Sequence, residues 1–287
     1  MSNPRFLVIM AGGASSRMKK SLVHEDLNEN IRQIAQTHHK SLIPLGEGNP
    51  PLLYYHFRRA QQVGVNSIFI ITPEEHEGFQ TFLKNPKIQE EFNAITAHLI
   101  PQIIPNHRSK PLGTADAVLQ AIEKEERLKT NAFVVINGDN LYSKEGLLEL
   151  FSLPEKQQAM IGYNRNGLKF DSERIQKFAV LKTNNEKYLN YIIEKPDAEE
   201  VQKSKDIHGK IRVSMNIFKL YGPQIHPYLR ACPVHPLRKE KELPTAIQKY
   251  TLKNPNSFLV LPRDEHVPDL TSITDLNQWQ IELEKDF

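Results

Sequence analysis

The sequence predicts an α/β protein built on a doubly wound mixed, mostly parallel sheet. Two stretches carry most of that prediction. Phe6-Leu7-Val8-Ile9-Met10 and Ala132-Phe133-Val134-Val135-Ile136 are unbroken apolar runs, the pattern of strands buried on both faces. Strand-like and helix-spaced segments alternate between them, and right-handed crossovers turn such an alternation into a parallel sheet. Both runs also lead into glycine-bearing turns, Gly12-Gly13 and Gly138-Asp139, at the carboxyl ends of strands where these sheets bind ligands.

The first run opens into Ala11-Gly12-Gly13-Ala14-Ser15-Ser16-Arg17. The glycine pair lets the backbone approach a ligand closely, Ser15 and Ser16 add short hydroxyl donors, and Arg17 adds a permanent cation, a combination suited to a polyphosphate. Met18 to His39 is longer and more polar than a βα loop requires. Its Leu27, Ile31 and Ile34 fall at helix-like intervals, so it reads as a small lid or as a surface insertion, with His38-His39 as surface residues. Lys40-Ser41-Leu42-Ile43-Pro44-Leu45-Gly46 is short and apolar with a lysine at its entrance. Leu53, Phe57, Ala60 and Val63 predict a helix stopped by Gly64, and 66–72 predicts the second strand. Leu99-Ile100-Pro101 and Ile103-Ile104-Pro105 read as short extended pieces punctuated by prolines. Lys110 to Val118 contains a turn at Gly113-Thr114 that enters a helix, with Thr114 in the position of an N-cap.

The grammar changes near Leu153. Phe178 to Leu181 and Tyr188 to Ile193 predict an antiparallel hairpin ending in Glu194-Lys195-Pro196. Strands are expected over 212–220, carrying Met215-Asn216, and over 257–261. Ser272 with Asp275 makes a capping-box-like start for a last helix from Asp275 to about Lys285. There is no internal repeat, so the second half reads as an insertion and extension closing over one side of the sheet.

The net charge of +3, from 37 Lys and Arg against 34 Asp and Glu, excludes a surface built to coat a nucleic acid and leaves room for a small anionic substrate. A single cysteine, Cys232, can form no internal disulfide, and no apolar run is long enough to span a membrane. A cytoplasmic protein with neither nucleic-acid nor membrane partners is the expectation. The histidines show no structural zinc spacing.

Taken together the motifs resemble those of the sugar-1-phosphate nucleotidyltransferases, the nucleotide-sugar pyrophosphorylases. Ala11-Gly12-Gly13 with Arg17 resembles their nucleotide loop, and Lys40 to Leu45 their lysine-bearing segment. Gly113-Thr114-Ala115-Asp116-Ala117-Val118 resembles their base-side loop, and Asn137-Gly138-Asp139 the strand end with a metal carboxylate. Glu194-Lys195-Pro196 is similar to the sugar-phosphate segment, and 269–276 to the closing segment. The chain departs from the family at Ser15 and Ser16, where glycine and threonine are usual, and in the insert before Lys40. Ala179 and Asn216 stand where many members have glycine, and Arg108 where uracil- and thymine-using members present glutamine.

The resemblance implies a Rossmann-like nucleotidyltransferase fold over residues 1–287. Residues 1–152 would form its nucleotide-binding half, and 153–287 a smaller sugar-phosphate-binding insertion with the closing segment. It implies a nucleoside triphosphate and a sugar-1-phosphate as partners and Mg2+ as cofactor, held by Asp139 and Asp269. Ala11, Gly12, Gly13, Ser15, Ser16, Gly113, Thr114, Asn137 and Gly138 would bind the nucleotide. Arg17, Lys40 and Lys195 would be the catalytic cations, with Lys19 or Lys20 competing for the role of Lys40. Glu194, Lys195 and Asn216 would bind the sugar phosphate. Two other readings fit parts of the same pattern. Ala-Gly-Gly-x-Ser-Ser-Arg-Met also resembles the opening of cytidylyl- and guanylyltransferases for a non-sugar phosphate or molybdenum cofactor, and a non-catalytic nucleotide-binding regulator could keep the fold.

Overall fold

The computed structural model describes residues 4–13, 39–45, 49–271, 275 and 279. They divide into two compact units that interleave along the chain, one of residues 1–111, 137–144 and 268–287 and one of 112–136 and 145–267.

In the first unit β1 (Phe6–Met10), α1 (Leu52–Gln62), β2 (Ser67–Thr72), α2 (Glu77–Lys84), α3 (Pro86–Glu91) and β3 (Thr96–Pro101) follow one another. The strands pair in parallel in the order β3-β2-β1, with Phe6 opposite Ser67 and Ser67 opposite Thr96. Every residue of β2 is buried, which is why its central residues, Ile68 to Ile71, are apolar on both faces. The helix expected after Leu53 is α1, and it ends before Gly64 as expected. β3 starts earlier than its prolines suggested. Thr96-Ala97-His98 form its first half, a partly exposed edge whose polar residues hide the pattern, with the His98 ring stacked on Phe69 at 5.1 Å. Residues 103–105 lie outside any strand.

In the second unit come α4 (Thr114–Lys124), α5 (Glu126–Thr130), β4 (Ala132–Asn137), α6 (Lys144–Ser152), β5 (Gln158–Asn164), α7 (Ser172–Ile175), β6 (Val180–Thr183) and β7 (Leu189–Ile193). They are followed by α8 (Ala198–Lys203), β8 (Arg212–Tyr221), α9 (Gly222–Arg230), α10 (Leu243–Lys253) and β9 (Phe258–Arg263). β4 and α6 each have one end in the first unit. β8 runs antiparallel to both β4 and β5, and β5 is parallel to β9, so β8 alone opposes the other three. β6 and β7 form the expected hairpin, attached to β8 through Val180 and Val213. The α/β class and the mixed, mostly parallel sheet are thus as the sequence predicts. β5 is the strand the sequence reading missed: it is buried along nearly its whole length, but Gly162 and the polar ends Gln158 and Asn164 break its apolar pattern.

One apolar cluster in the first unit does most to place the site. Ile43, Leu45, Leu52, Tyr55, Leu141, Leu270 and Trp279 pack together, fastening the segment after Lys40, the segment after Asp139 and the closing segment to α1. The Ser272 cap lies outside the described residues. Asp275 accepts the backbone N–H of Thr271 at 2.8 Å. Trp279 is 1% exposed. Trp279→Ala should therefore cost about 3 to 5 kcal/mol, read as a melting temperature lower by roughly 10 °C. A change within about 2 °C would show that the cluster does not hold the closing segment.

Candidate active site

The site in the first unit is built where β1 and β4 end. Ala11 leaves β1 with its N–H on the Ile71 carbonyl at 2.8 Å, and the Gly138 N–H donates to the Met10 carbonyl at 2.9 Å. A side chain at Gly138 would begin 2.9 Å from that same carbonyl oxygen and 3.3 Å from Ala11 Cβ. Glycine is what lets the Asn137-Gly138-Asp139 turn lie against the start of the Gly12-Gly13 loop. Gly12 backs onto Gln102 and Thr72, while among the described residues nothing lies within 4 Å of where a Gly13 side chain would begin.

Lys40 opens a 3-10 turn, Lys40–Leu42, and its ammonium forms an ion pair with the Asp139 carboxylate. The two side chains are 16% and 17% exposed, so the charges meet where water screens them poorly. The closing segment pairs with the other side of the same turn. Asn140 and Asp269 form an antiparallel bridge, the Leu270 N–H donates to the Asp139 carbonyl at 2.7 Å, and the Leu141 N–H donates to the Pro268 carbonyl at 3.1 Å. Two carboxylate residues far apart in sequence thereby stand on hydrogen-bonded neighbouring segments. Asp269 accepts the Thr271 hydroxyl at 2.8 Å.

Among the described residues no group of three or more His, Cys, Asp and Glu side chains could form a metal cage. Asp139 and Asp269 on adjoining segments are hard oxygen donors of the kind a divalent cation such as magnesium takes.

Two histidines near this turn escaped the sequence reading. His56, on α1, is 2% exposed, and its Nε2 lies 3.3 Å from the Gly138 carbonyl. Burial pushes its imidazole down to about 4, against the opposing pull of the Gly138 carbonyl and the Asp139 charge. The ring is therefore neutral near pH 7 and donates its N–H to Gly138. His39, expected on the surface, is half-buried and bonded to the carbonyl of Gly13 at 2.8 Å. A histidine on an apolar helix face and one at the end of a polar insert carry no motif that would have flagged them.

The remaining candidates lie in the second unit. Gly113 has φ +113°, and a side chain there would meet the Lys241 carbonyl and lie 2.8 Å from the Lys241 nitrogen. The Lys241 N–H donates to the Leu112 carbonyl at 2.6 Å, the Ala115 N–H donates to the Lys241 carbonyl at 2.9 Å, and the Thr114 hydroxyl accepts the Leu243 N–H at 2.9 Å. This glycine turn is thus shaped first by residues 241–243, and Thr114 caps α10 across the chain. Lys195 has φ +50° and Asn216 φ +56°, left-handed backbone that costs most residues with a side chain energy, and asparagine less than most of them. At Asn216 the register of β8 on β5 slips between Met160 and Gly162. Glu194 lies 3.9 Å from Arg238, which also pairs with Glu242 at 2.7 Å. Lys195 is exposed. Ser15, Ser16, Arg17, Lys19 and Lys20 fall outside the described residues.

The family model of the nucleotidyl transferases matches residues 7–279. The chain belongs to that family. Among solved structures it is similar to a UDP-glucose pyrophosphorylase complexed with UDP-glucose, with TM-score 0.72, 16% identity, and 99% of this chain and 100% of that one covered. It is also similar to a putative glucose-1-phosphate thymidylyltransferase from Bacillus anthracis in complex with a sucrose, with TM-score 0.66, 21% identity, and 99% and 96% covered. The apo form of a UDP-glucose pyrophosphorylase gives TM-score 0.72 at 16% identity over 98% of each chain. No curated relative matches the sequence. In this nucleotidyl transferase the family match takes in residues of both compact units, and no described helix is long and apolar enough to cross a membrane.

His56 gives the site a pH signature. Its ordinary value is 6.5 and its folded value about 4, so between these the unfolded chain binds the proton and the folded one does not. The contribution is complete above pH 6.5 and is lost as pH falls toward 4. The shift corresponds to about 3 kcal/mol. Urea unfolding from about pH 7 down to about pH 4 should show wild type losing about that much more stability than His56→Gln. Equal losses would mean that His56 is not held neutral against Gly138.

Proposed function

We propose that this nucleotidyl transferase condenses a nucleoside triphosphate with a sugar-1-phosphate, giving a nucleotide sugar and pyrophosphate. The observation that carries the reading is the junction of Lys40, Asp139 and Asp269 beside the Gly12-Gly13 loop. A cation paired with one carboxylate at a strand end, with a second carboxylate residue on the neighbouring hydrogen-bonded segment and a glycine loop beside them, suits a reaction between two polyanions. A sugar-phosphate oxygen attacks the α-phosphorus, the bond to the β-phosphate bridging oxygen breaks, and pyrophosphate leaves with that electron pair. The attacking oxygen is already anionic, so no general base is required, and the task is to hold the reactants together against their repulsion.

Each residue has a part in that task. Ala11, Gly12, Gly13, Ser15 and Ser16 hold the triphosphate, with Gly138 keeping the Asp139 turn against their loop. Gly113, Thr114 and Asn137 bound the rest of the nucleotide. Arg17 and Lys40 stabilise the charge that grows on the departing pyrophosphate. Lys195 binds the incoming phosphate, Glu194 accepts hydrogen bonds from sugar hydroxyls, and Asn216 adds a polar contact to the sugar. The left-handed backbone at Lys195 and Asn216 is strain of the kind that collects at ligand sites. Asp139 and Asp269 would hold magnesium, which when bound neutralises phosphate charge and polarises the phosphorus under attack. We read residues 1–287 as one nucleotidyltransferase domain working in the cytoplasm, where a lone free cysteine such as Cys232 stays reduced.

The test is a matrix of nucleoside triphosphates and sugar-1-phosphates with magnesium, read as pyrophosphate release. At least one pair should react, and reaction should stop when magnesium is chelated. Silence across the matrix with no nucleotide binding by calorimetry would overturn the reading. With the reactive pair, Asp139→Asn and Asp269→Asn should each lower turnover on the order of a thousandfold with the melting temperature little changed. The double variant should be little worse than either. A single variant with near-native turnover would remove that carboxylate from the metal.

A further inference from the structure

We infer that His39 is a positioning residue that fixes the peptide of Gly13, and with it the phosphate-facing form of the nucleotide loop. The inference rests on the reading that this loop holds the triphosphate. His39 Nδ1 accepts the Ser41 backbone N–H at 3.3 Å, with the Ser41 hydroxyl 2.8 Å away. An accepting Nδ1 leaves the proton on Nε2, which lies 2.8 Å from the Gly13 carbonyl and donates to it. The ring is further set by Phe79, a core side chain 2% exposed, whose centroid is 5.5 Å from that of the imidazole.

Gly13 is where such a latch matters. It is exposed, and a glycine has the backbone freedom that a hydrogen bond to its carbonyl restrains. The carbonyl and N–H of a planar trans peptide point in opposite directions. A Gly13 carbonyl bound to His39 cannot turn its negative end toward a phosphate. The neighbouring residue extends the same device, because Lys40 reaches the Asp139 carboxylate. One short segment thus secures the Gly13 loop through its backbone and the Asp139 turn through its charge. His39 itself touches no reacting atom.

The test compares wild type, His39→Ala and His39→Gln, since glutamine reaches about as far with an amide N–H. In steady state His39→Ala should raise KM for the nucleoside triphosphate five- to tenfold, roughly the worth of one hydrogen bond. Turnover should stay within about threefold and KM for the sugar phosphate should stay unchanged, because only the nucleotide loop is disturbed. His39→Gln should recover most of the nucleotide KM. The same order should appear in calorimetric affinity for the triphosphate alone, which needs no acceptor. An unchanged nucleotide KM and affinity in His39→Ala would overturn the inference while leaving the function intact. So would equal losses for both substrates, or a glutamine variant no better than alanine. A wild-type protein that neither turns over nor binds any triphosphate would overturn the inference together with the functional reading.

Discussion

The ion pair between Lys40 and Asp139 is the interaction on which the rest of the site depends. Both side chains are about five-sixths buried, so neither charge can be left alone without a desolvation penalty larger than any exposed pair would incur. The pair consequently sets where two segments must go. The 3-10 turn that carries Lys40 has to sit over the end of β4, and the turn that carries Asp139 has to face it. The apolar cluster of Ile43, Leu45, Leu52, Tyr55, Leu141, Leu270 and Trp279 supplies the packing that keeps both segments there. The same cluster draws in the closing segment, which places Asp269 beside Asn140. Electrostatics and packing thus specify one arrangement, and the segments that carry Asp139 and Asp269 lie side by side as its consequence.

Around that arrangement the backbone itself is held by polar contacts. His56 donates to the carbonyl of Gly138 and His39 to that of Gly13. Both acceptors are glycine carbonyls, whose peptides would otherwise turn most freely. The two rings belong to different environments. Burial keeps the His56 imidazole neutral, whereas the partner of His39 Nδ1 decides which nitrogen of that ring carries the proton. Preorganised loops of this kind let binding energy go into the reaction instead of into ordering the site.

Much of this was legible in the residues, and the parts that were not share a cause. β1, β2 and β4 announce themselves because both faces are buried along their central residues and each carries an unbroken apolar run of at least four. Lys40, Asp139 and Asp269 could be picked out by motif order, since each stands at a junction between regular elements. β5 was hidden because Gly162 breaks its apolar run, and the slip of β8 at Asn216 because a left-handed residue inside a strand leaves no period to read. The Gly113 turn shows the opposite difficulty. Its glycine stands out in the sequence, but the reason the turn needs glycine does not: the backbone of Lys241 occupies the space a side chain would fill, a long-range contact that sequence spacing cannot display. His39 and His56 act through single hydrogen bonds to distant backbone atoms, which no local pattern encodes.

The measurement that bears most directly on this account is a double-mutant cycle on turnover with Lys40→Met, Asp139→Asn and both together. If the pair works as one unit, each single change should lower turnover about a hundredfold or more, and the double variant should fall no more than about threefold below the worse single. Losses that simply multiply would contradict it, because they would mean that Lys40 and Asp139 contribute independently and that the ion pair does not organise the site.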